Sequence, residues 1–358
     1  MSGTARRPAV KAAVWYGPRD VRVLDTYVPP PGPGEVTIEV AYCGICGSDL
    51  HEYADGPHAI PVGEPHPESG VAAPLVLGHE FCGTVAETGS GVTRVAPGDR
   101  VAVEPHYRCG DCPRCRAGEY NICRHFGFAG LMGHGGLAER VTVPAYMLHR
   151  LPESVPLEQA AVFEPAAVAL HAVRRAAVAP GETVAVVGLG PIGLLVTRLA
   201  ARAGAGRIVA ADPSPARRAL ARALGATDTV PAGDSCAAQV REATGGEGAD
   251  VTFEAVGSEV ALGTSLAATR RGGRVMFLGL AGTVSLDAFA LVNNEQSILT
   301  SVGYRDAYPE LIRMVAEEGV DLTGIVTSTI PLADVVRDGF EALLSGGEGQ
   351  VKVLVRPV

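Results

Sequence analysis

The sequence predicts an α/β protein with a β-rich part and a doubly wound, parallel-sheet part. Three observations predict it. Residues 10–100 hold short runs of alternating polarity cut by Gly and Pro, the texture of a β-rich domain or barrel. After about residue 157, short apolar strands alternate with Ala-rich helical stretches, which points to a parallel sheet. A chain of 358 residues is too long for one comfortable core and suits about two domains. The expected division is a first domain over 1–166, a doubly wound domain over 167–302, and a return to the first domain over 303–358.

The elements follow in order. "EVTIEVAYCGI" alternates as a half-buried strand. "GTVAETGSGVTRVAPGDRVAVEP" reads as strand, turn, strand, then Gly-Asp before another strand. Residues 54–74 are rich in Pro, Gly and His and read as a surface loop. Residues 105–136 are irregular and hold four cysteines. "ETVAVVGLGPIGLLVTRLAARAGAGRIVAADPSPARRALARALGA" reads as buried strand, Gly-rich turn, helix, strand ending in Asp, and helix. "DVTFEAVG" and "GGRVMFLGL" repeat the apolar strand theme and are expected to meet across an oligomer interface. "YPELIRMVAEEG" and "LADVVRDGFEALLSG" read as helices, and "VKVLVRPV" as a closing strand.

Composition excludes several classes of function. Hydrophobic residues make up 47%, so a packed core is expected rather than disorder. A formal net charge of −9 disfavours a nucleic-acid partner. No run of 18 apolar residues predicts a membrane span. The opening "MSGTARRPAV" has no apolar stretch that would serve as a secretory signal, so the expected address is the cytoplasm. There the eight cysteines stay reduced, and clustered cysteines mean metal more often than bridges.

"VAVVGLGPIG" places Gly188, Gly190 and Gly193 in the spacing G-x-G-x-x-G, after a buried strand and opening a helix. Gly188 permits the tight turn, Gly190 lets the backbone approach a pyrophosphate, and Gly193 allows close helix–strand packing. The helix N-terminus favours phosphate charge. Asp212 ends the next strand, where a carboxylate accepts hydrogen bonds from a ribose 2′-hydroxyl and repels a 2′-phosphate. This favours NAD over NADP, although Arg217 lies nearby. Pro191, Ile192, Val256, Leu278, Gly279 and Val302 complete the candidate cofactor contacts. An ordinary βαβ turn without ligand is the competing reading.

Cys109, Cys112, Cys115 and Cys123 form C-x2-C-x2-C-x7-C, with thiolates within reach of one tetrahedral zinc. Four thiolates close the shell, so such a site is structural. An iron–sulfur cluster and free thiols are the alternatives. A second set is Cys46 in "CGICGSDLHEY" with His79 and Glu80 in "LGHEFCG". A catalytic zinc takes three protein ligands and keeps one position open. "VFEPAAVALH" adds Glu164, a carboxylate in an apolar run, costly to bury unless paired or coordinated. A surface charge at a helix N-terminus is the plainer reading of Glu164. Asp49 is expected to order the turn, and Cys43, Cys82 and Cys236 to pack as small apolar groups. His58 and His66 are expected to be solvated.

Together these segments resemble the zinc-dependent medium-chain alcohol dehydrogenase family, closest to its 2,3-butanediol (acetoin) and sorbitol dehydrogenase branch. The segments are "CGICGSDLHEY", "LVLGHEFCGTVAETGSGV", "GDRVAVEP", the four-cysteine lobe, "FEPAAVALHAV", "VVGLGPIG" and "SVGYRD". The resemblance runs from about residue 11 to the final strand. It implies a GroES-like catalytic domain with a Rossmann NAD domain, two zincs per chain, and a homodimer or homotetramer. It implies Cys46, His79 and Glu164 as ligands of the catalytic zinc. Glu80 is implied as an exchanging ligand or a neighbour of the shell, and Ser48 and His51 as a proton relay. The implied reaction is reversible oxidation of a secondary alcohol, a vicinal diol or acyloin, through an alkoxide on zinc and hydride transfer to nicotinamide. The same chemistry on a sugar alcohol, cyclitol or amino alcohol is the alternative. A zinc-stabilised nucleotide-binding regulator without catalysis is a more distant one.

Overall fold

The computed structural model describes residues 9–280, 282–346 and 349–357. The opening residues 1–8, read above for a secretory signal, lie outside the described ones. The chain opens with β1 (Val10–Gly17), β2 (Asp20–Thr26), β3 (Glu35–Gly44) and α1 (Gly47–Asp55). Next come β4 (Leu75–Val76), β5 (Glu80–Thr88), β6 (Arg100–Val103), β7 (His106–Tyr107) and α2 (Pro113–Arg116). Then follow β8 (Gly127–Phe128), β9 (Arg140–Pro144), β10 (Leu148–Arg150), α3 (Leu157–Ala160) and α4 (Phe163–Arg175). The doubly wound region runs β11 (Thr183–Val187), α5 (Pro191–Arg202), β12 (Arg207–Ala211), α6 (Pro215–Ala223), β13 (Asp228–Val230) and α7 (Cys236–Ala243). It continues with β14 (Ala249–Glu254), α8 (Glu259–Ala268), β15 (Thr269–Phe277), α9 (Ala288–Asn293) and β16 (Ser297–Thr300). The chain closes with α10 (Tyr308–Glu318), β17 (Val326–Pro331), α11 (Ala342–Leu344) and β18 (Lys352–Arg356).

Two compact units result, Met1–Glu164 with Tyr308–Val358, and Pro165–Ala307. The first is built on a sheet of order β10-β6-β5-β3-β18-β17, with β9 also on β3, beside a β2-β1-β4 sheet and the β7-β8 pair. Its core gathers Trp15, Ile38, Phe81 and Val353, inward-facing members of these strands, with Leu137 from a loop and Phe340 from a helical turn. β17 and β18 run parallel, which requires a crossover. A π-helical turn at Val335–Glu341 and α11 supply it, where the sequence reads as one continuous helix. β17 itself escapes the sequence reading. β18 lies antiparallel to β3, with Leu354 opposite Gly44 and Val355 opposite Cys43.

The second unit is an all-parallel sheet of order β13-β12-β11-β14-β15-β16. From β11 the chain winds to β12 and β13 on one side and returns to β14 on the other. The C-terminal end of β11 is therefore a topological switch point, where such sheets bind ligands.

Two expectations are corrected. "VTRVAP" is not a strand: residues 90–99 form turns, because Gly98 N bonds Val85 O and the Asp99 carboxylate captures Ala96 N. The strands of "DVTFEAVG" and "GGRVMFLGL", β14 and β15, cannot meet a partner chain edge to edge, since each is hydrogen-bonded on both sides. The edge on that side is β16.

Candidate active site

The candidate catalytic metal set is assembled from two elements of the first unit, α1 and β5. Cys46 caps the N-terminus of α1, so its thiol sits at the positive end of the helix. His79 and Glu80 enter β5. Cys46, His79 and Glu80 each offer a ligand atom within 4.8 Å of the others, and His79 and Glu80 are buried. Gly44 on the adjacent β3 makes this approach possible, because a Cβ there would lie 2.0 Å from Glu80 Oε2.

Around this set the polar groups are specific. Asp49 Oδ2 accepts a hydrogen bond from Cys46 N at 2.9 Å, and Asp49 Oδ1 lies 3.7 Å from His79 Nδ1. Asp49 orders the turn as expected, and its carboxylate also faces the ring of the candidate ligand His79. Burial pushes the His79 pKa down, but the Cys46 and Asp49 charges overcome it and hold it well above the usual imidazole range. The anions that favour a proton there equally favour a cation, so thiolate, imidazole and carboxylate together suit a zinc ion. Ser48 Oγ lies 3.3 Å from His79 Nε2. His51 is solvent-exposed one turn further along α1 and makes no hydrogen bond to Ser48 among the described residues.

Glu164, expected as a ligand, falls outside the 4.8 Å cluster. It rides on the first turn of α4, is buried, and contributes to the field at Lys352. The carboxylate that joins Cys46 and His79 is Glu80. A residue the sequence reading missed is Lys352 on β18, whose ammonium bonds both oxygens of Glu80 at 2.7 Å and Ile45 O at 2.9 Å. Burial alone would lower its pKa, yet Glu80 and then Cys46 raise it above the ordinary lysine range. The signal was present in "VKVLV": a charge in an otherwise apolar strand needs a buried partner.

The four-cysteine lobe is preorganised. Cys109, Cys112, Cys115 and Cys123 converge within 4.8 Å. Their Sγ–Sγ separations include 3.5 Å for Cys109–Cys123 and 4.0 Å for Cys109–Cys115 and Cys112–Cys123. A tetrahedron with zinc–sulfur bonds of about 2.3 Å has edges of about 3.8 Å. Edges this short suit one ion rather than a multi-iron cluster. Backbone N–H groups of Cys109, Cys112, Cys115 and His125 donate to the sulfurs at 3.3–3.4 Å. The N–H groups of Cys115 and Arg124 bring the Cys112 thiol down to about 6.

In the second unit a cavity of about 510 Å³ opens at the switch point. Gly188, Gly190, Asp212, Arg217 and Val256 line it, as do Asp234, Ser258 and Thr264, which the sequence reading did not select. Gly188 has φ +93°, and a Cβ there would lie 2.5 Å from Val256 Cγ2. Gly190 caps α5, and a Cβ there would meet no protein atom within 4 Å, so the space at the helix N-terminus stays clear. Gly193 packs so closely that a Cβ would lie 1.8 Å from Gly188 O. Asp212 Oδ2 accepts from Leu189 N and Oδ1 from Ser214 N, which leaves lone pairs on both oxygens. Pro191 and Ile192 lie in the first turn of α5, outside the lining. Leu278 and Gly279 donate their N–H groups to Glu254 O, and Val302 is about half exposed; none of the three lines the cavity. Cys236 does line it, besides packing in the apolar cluster behind. His58 is exposed as expected, whereas His66 is half-buried against the Tyr107 ring.

Among the described residues no helix is long and apolar enough to cross a membrane. Comparison with known proteins extends the picture. The family described as Alcohol dehydrogenase GroES-like domain matches residues 32–153, and Zinc-binding dehydrogenase matches 191–317. The chain is 40% identical to (R,R)-butanediol dehydrogenase of Bacillus subtilis (strain 168), over 97% of this chain and 100% of that one. It is 34% identical to sorbitol dehydrogenase of the same organism, over 97% of each. The crystal structure of 2R,3R-butanediol dehydrogenase from Bacillus subtilis superposes with a TM-score of 0.91 at 40% identity, covering 98% of this chain and 100% of that one. The β-rich unit is thus GroES-like and the parallel unit Rossmann-like. Likeness of this extent, over both units, makes the chain a member of the zinc-dependent medium-chain alcohol dehydrogenases, near their butanediol and sorbitol dehydrogenase branch.

Proposed function

We propose that the chain catalyses reversible, NAD-dependent oxidation of a secondary alcohol, a vicinal diol or acyloin of the 2,3-butanediol/acetoin kind. The observation that carries this is the convergence of half-buried Cys46 with buried His79 and Glu80, with Ser48 at its side. The choice of substrate class leans on the 40% identity to a butanediol dehydrogenase. Cys46, His79 and Glu80 would hold a zinc ion, which would supply the Lewis acidity that lowers the pKa of the substrate hydroxyl. Ser48 takes the hydroxyl proton and His51, at the surface, releases it to solvent. Bound NAD would supply the hydride acceptor, so that the alcohol would lose two electrons as hydride from its carbinol carbon and one proton through the relay. Asp49 orients the His79 ring. Glu164, buried at the start of α4, acts on the site through its electrostatic effect on Lys352. A second zinc belongs to Cys109, Cys112, Cys115 and Cys123 and is structural.

Dinucleotide binding is assigned to the cavity lined by Gly188 and Gly190, with Gly193 packing the turn behind it and Asp212 receiving the adenosine ribose and disfavouring a 2′-phosphate. Pro191, Ile192, Val256, Leu278, Gly279 and Val302 are proposed as flanking contacts, and Arg217 as a contact near the ribose. The cytoplasm is the proposed address. A homo-oligomer is proposed through the β16 edge, near which Leu280, Phe289 and Val292 are 74–79% exposed.

The test is zinc per chain together with NADH formation from butanediol stereoisomers, acetoin, sorbitol and inositol-type substrates. Two zincs and fast turnover of one butanediol stereoisomer are expected. Turnover confined to polyols or cyclitols would move the substrate to the alternative that the 34% identity to sorbitol dehydrogenase favours. One zinc and no NADH from any alcohol would end the proposal.

A further inference from the structure

The buried lysine of the last strand carries an inference that rests on the assignment of Cys46, His79 and Glu80 to one metal. Lys352 is 1% exposed and Glu80 is fully buried. The Lys352 Nζ donates to Glu80 Oε1 and Oε2, both at 2.7 Å, and to Ile45 O at 2.9 Å. All three of its protons therefore have acceptors. Equal distances to the two oxygens place the ammonium on the bisector of the carboxylate, where an ion chelated by both oxygens would sit. Gly44 closes the other side: its backbone lies so near that even a Cβ would come within 2.0 Å of Oε2. The carboxylate is thus held by a cation on one side and by β3 on another, with one oxygen within 4.8 Å of the Cys46 and His79 ligand atoms.

We propose that Lys352 is a positioning residue for the catalytic zinc: it restricts Glu80 to ligation through one oxygen and so keeps the fourth position open for the alcohol. Zinc in catalytic sites takes three protein ligands and one exchangeable group. A chelating Glu80 would occupy two positions and compete with the substrate. Lys352 also fixes the carboxylate from two directions at once, since its ammonium donates to both Glu80 oxygens and to Ile45 O, a set of bonds that an apolar side chain cannot replace. The competing reading is that Lys352 only neutralises a buried carboxylate and has no effect on coordination.

The test separates these readings. Co2+ replaces zinc at the Cys46 site, and its visible d–d spectrum is recorded without alcohol or NAD. The wild-type protein and Lys352→Arg, whose guanidinium can still bond both oxygens, are expected to give the intense bands of four-coordinate cobalt. Lys352→Met is expected to give weaker, shifted bands of higher coordination, together with a tenfold or larger rise in alcohol KM and an unchanged KM for NAD. A Lys352→Met spectrum identical to wild type would overturn the proposal. Should Lys352→Met not fold, Lys352→Gln, whose amide reaches one oxygen only, is read in the same way. A Glu80→Gln protein with the wild-type spectrum would equally overturn it, because Glu80 would then not be a ligand. Since the spectra need no turnover, failure to oxidise any alcohol would defeat the proposed function while the Lys352→Met spectrum still decides this inference.

Discussion

At the scale of single residues, the site is a contest between burial and charge. Asp49 is fully buried and works on two groups, the Cys46 N–H and the His79 ring. Losing such a partner of a metal-ligating histidine costs about 10–100-fold in metal affinity or activity. Asp49→Asn is therefore expected to release the catalytic zinc about 10–100-fold more readily to a competing chelator. The two glutamates should part company: Glu80→Gln loses the catalytic zinc and Glu164→Gln retains it, as metal analysis after dialysis would report. Equal loss in both would return Glu164 to the ligand set that the sequence suggested. The reason Glu164 could be read as a ligand, and Lys352 missed, is that a buried charge announces a need for a partner without naming it.

At the scale of elements, turns and helix ends hold the chemistry in place. The turn from β11 to α5 needs Gly188 in the left-handed region, at φ +93°, and a side chain there would also strike Val256. Strain of about 1–2 kcal/mol in that backbone converts to roughly a tenfold weaker ligand. Gly188→Ala is expected to raise the NAD Kd by about tenfold or more in calorimetric titration, with zinc content unchanged. The four-cysteine lobe contains the short helix α2, a 3-10 turn and the two-residue strands β7 and β8, so its own core is small. Cys112→Ser should lose one zinc, keep the other, and lower the melting temperature by about 4–8 °C for a loss of about 2 kcal/mol. Digestion should then cut first within the lobe.

At the scale of the whole molecule, the first unit is completed by the chain's end. β18 arrives after the entire parallel unit has been traversed and inserts between β3 and β17. The second unit has its own acid-sensitive ties. Asp250 accepts from Thr183 N and Arg270 Nε, each at 2.7 Å, and Glu182 bonds Arg274 at 2.7–3.0 Å. Partial burial pushes both carboxyls up, but the backbone N–H and arginine partners win and hold them below the usual range. A depressed folded pKa means this stability is complete above the unfolded values of about 3.9 and 4.3. It drains as pH falls through the folded ones. The melting temperature of the protein is expected to fall as pH drops below about 4, and Asp250→Asn with Glu182→Gln should flatten that dependence. An unchanged slope in the double variant would show that other groups carry the acid response.

The sequence by itself determined what short-range pattern encodes. Strand alternation in "EVTIEVAYCGI", the spacing Gly188–Gly190–Gly193 before a helix, and the four close-spaced cysteines are local, so their geometry follows from residue order. Those features already pointed to the fold class and to the four-cysteine metal set, while Cys46 and His79 stood out by residue type in two separate segments. What only the tertiary structure decided depends on segments far apart in the chain. Pairing of β18 with β3 brings Lys352 to Glu80 across 272 residues. The close approach at Gly44 admits the Glu80 carboxylate to the cluster, while Glu164 stays outside it. Sheet order makes β16 the edge and buries β14 and β15 within the sheet. Backbone capture by Asp99 turns "VTRVAP" away from a strand its composition would favour. Each of these is a competition for a hydrogen bond or a volume whose rival partners a linear pattern does not display.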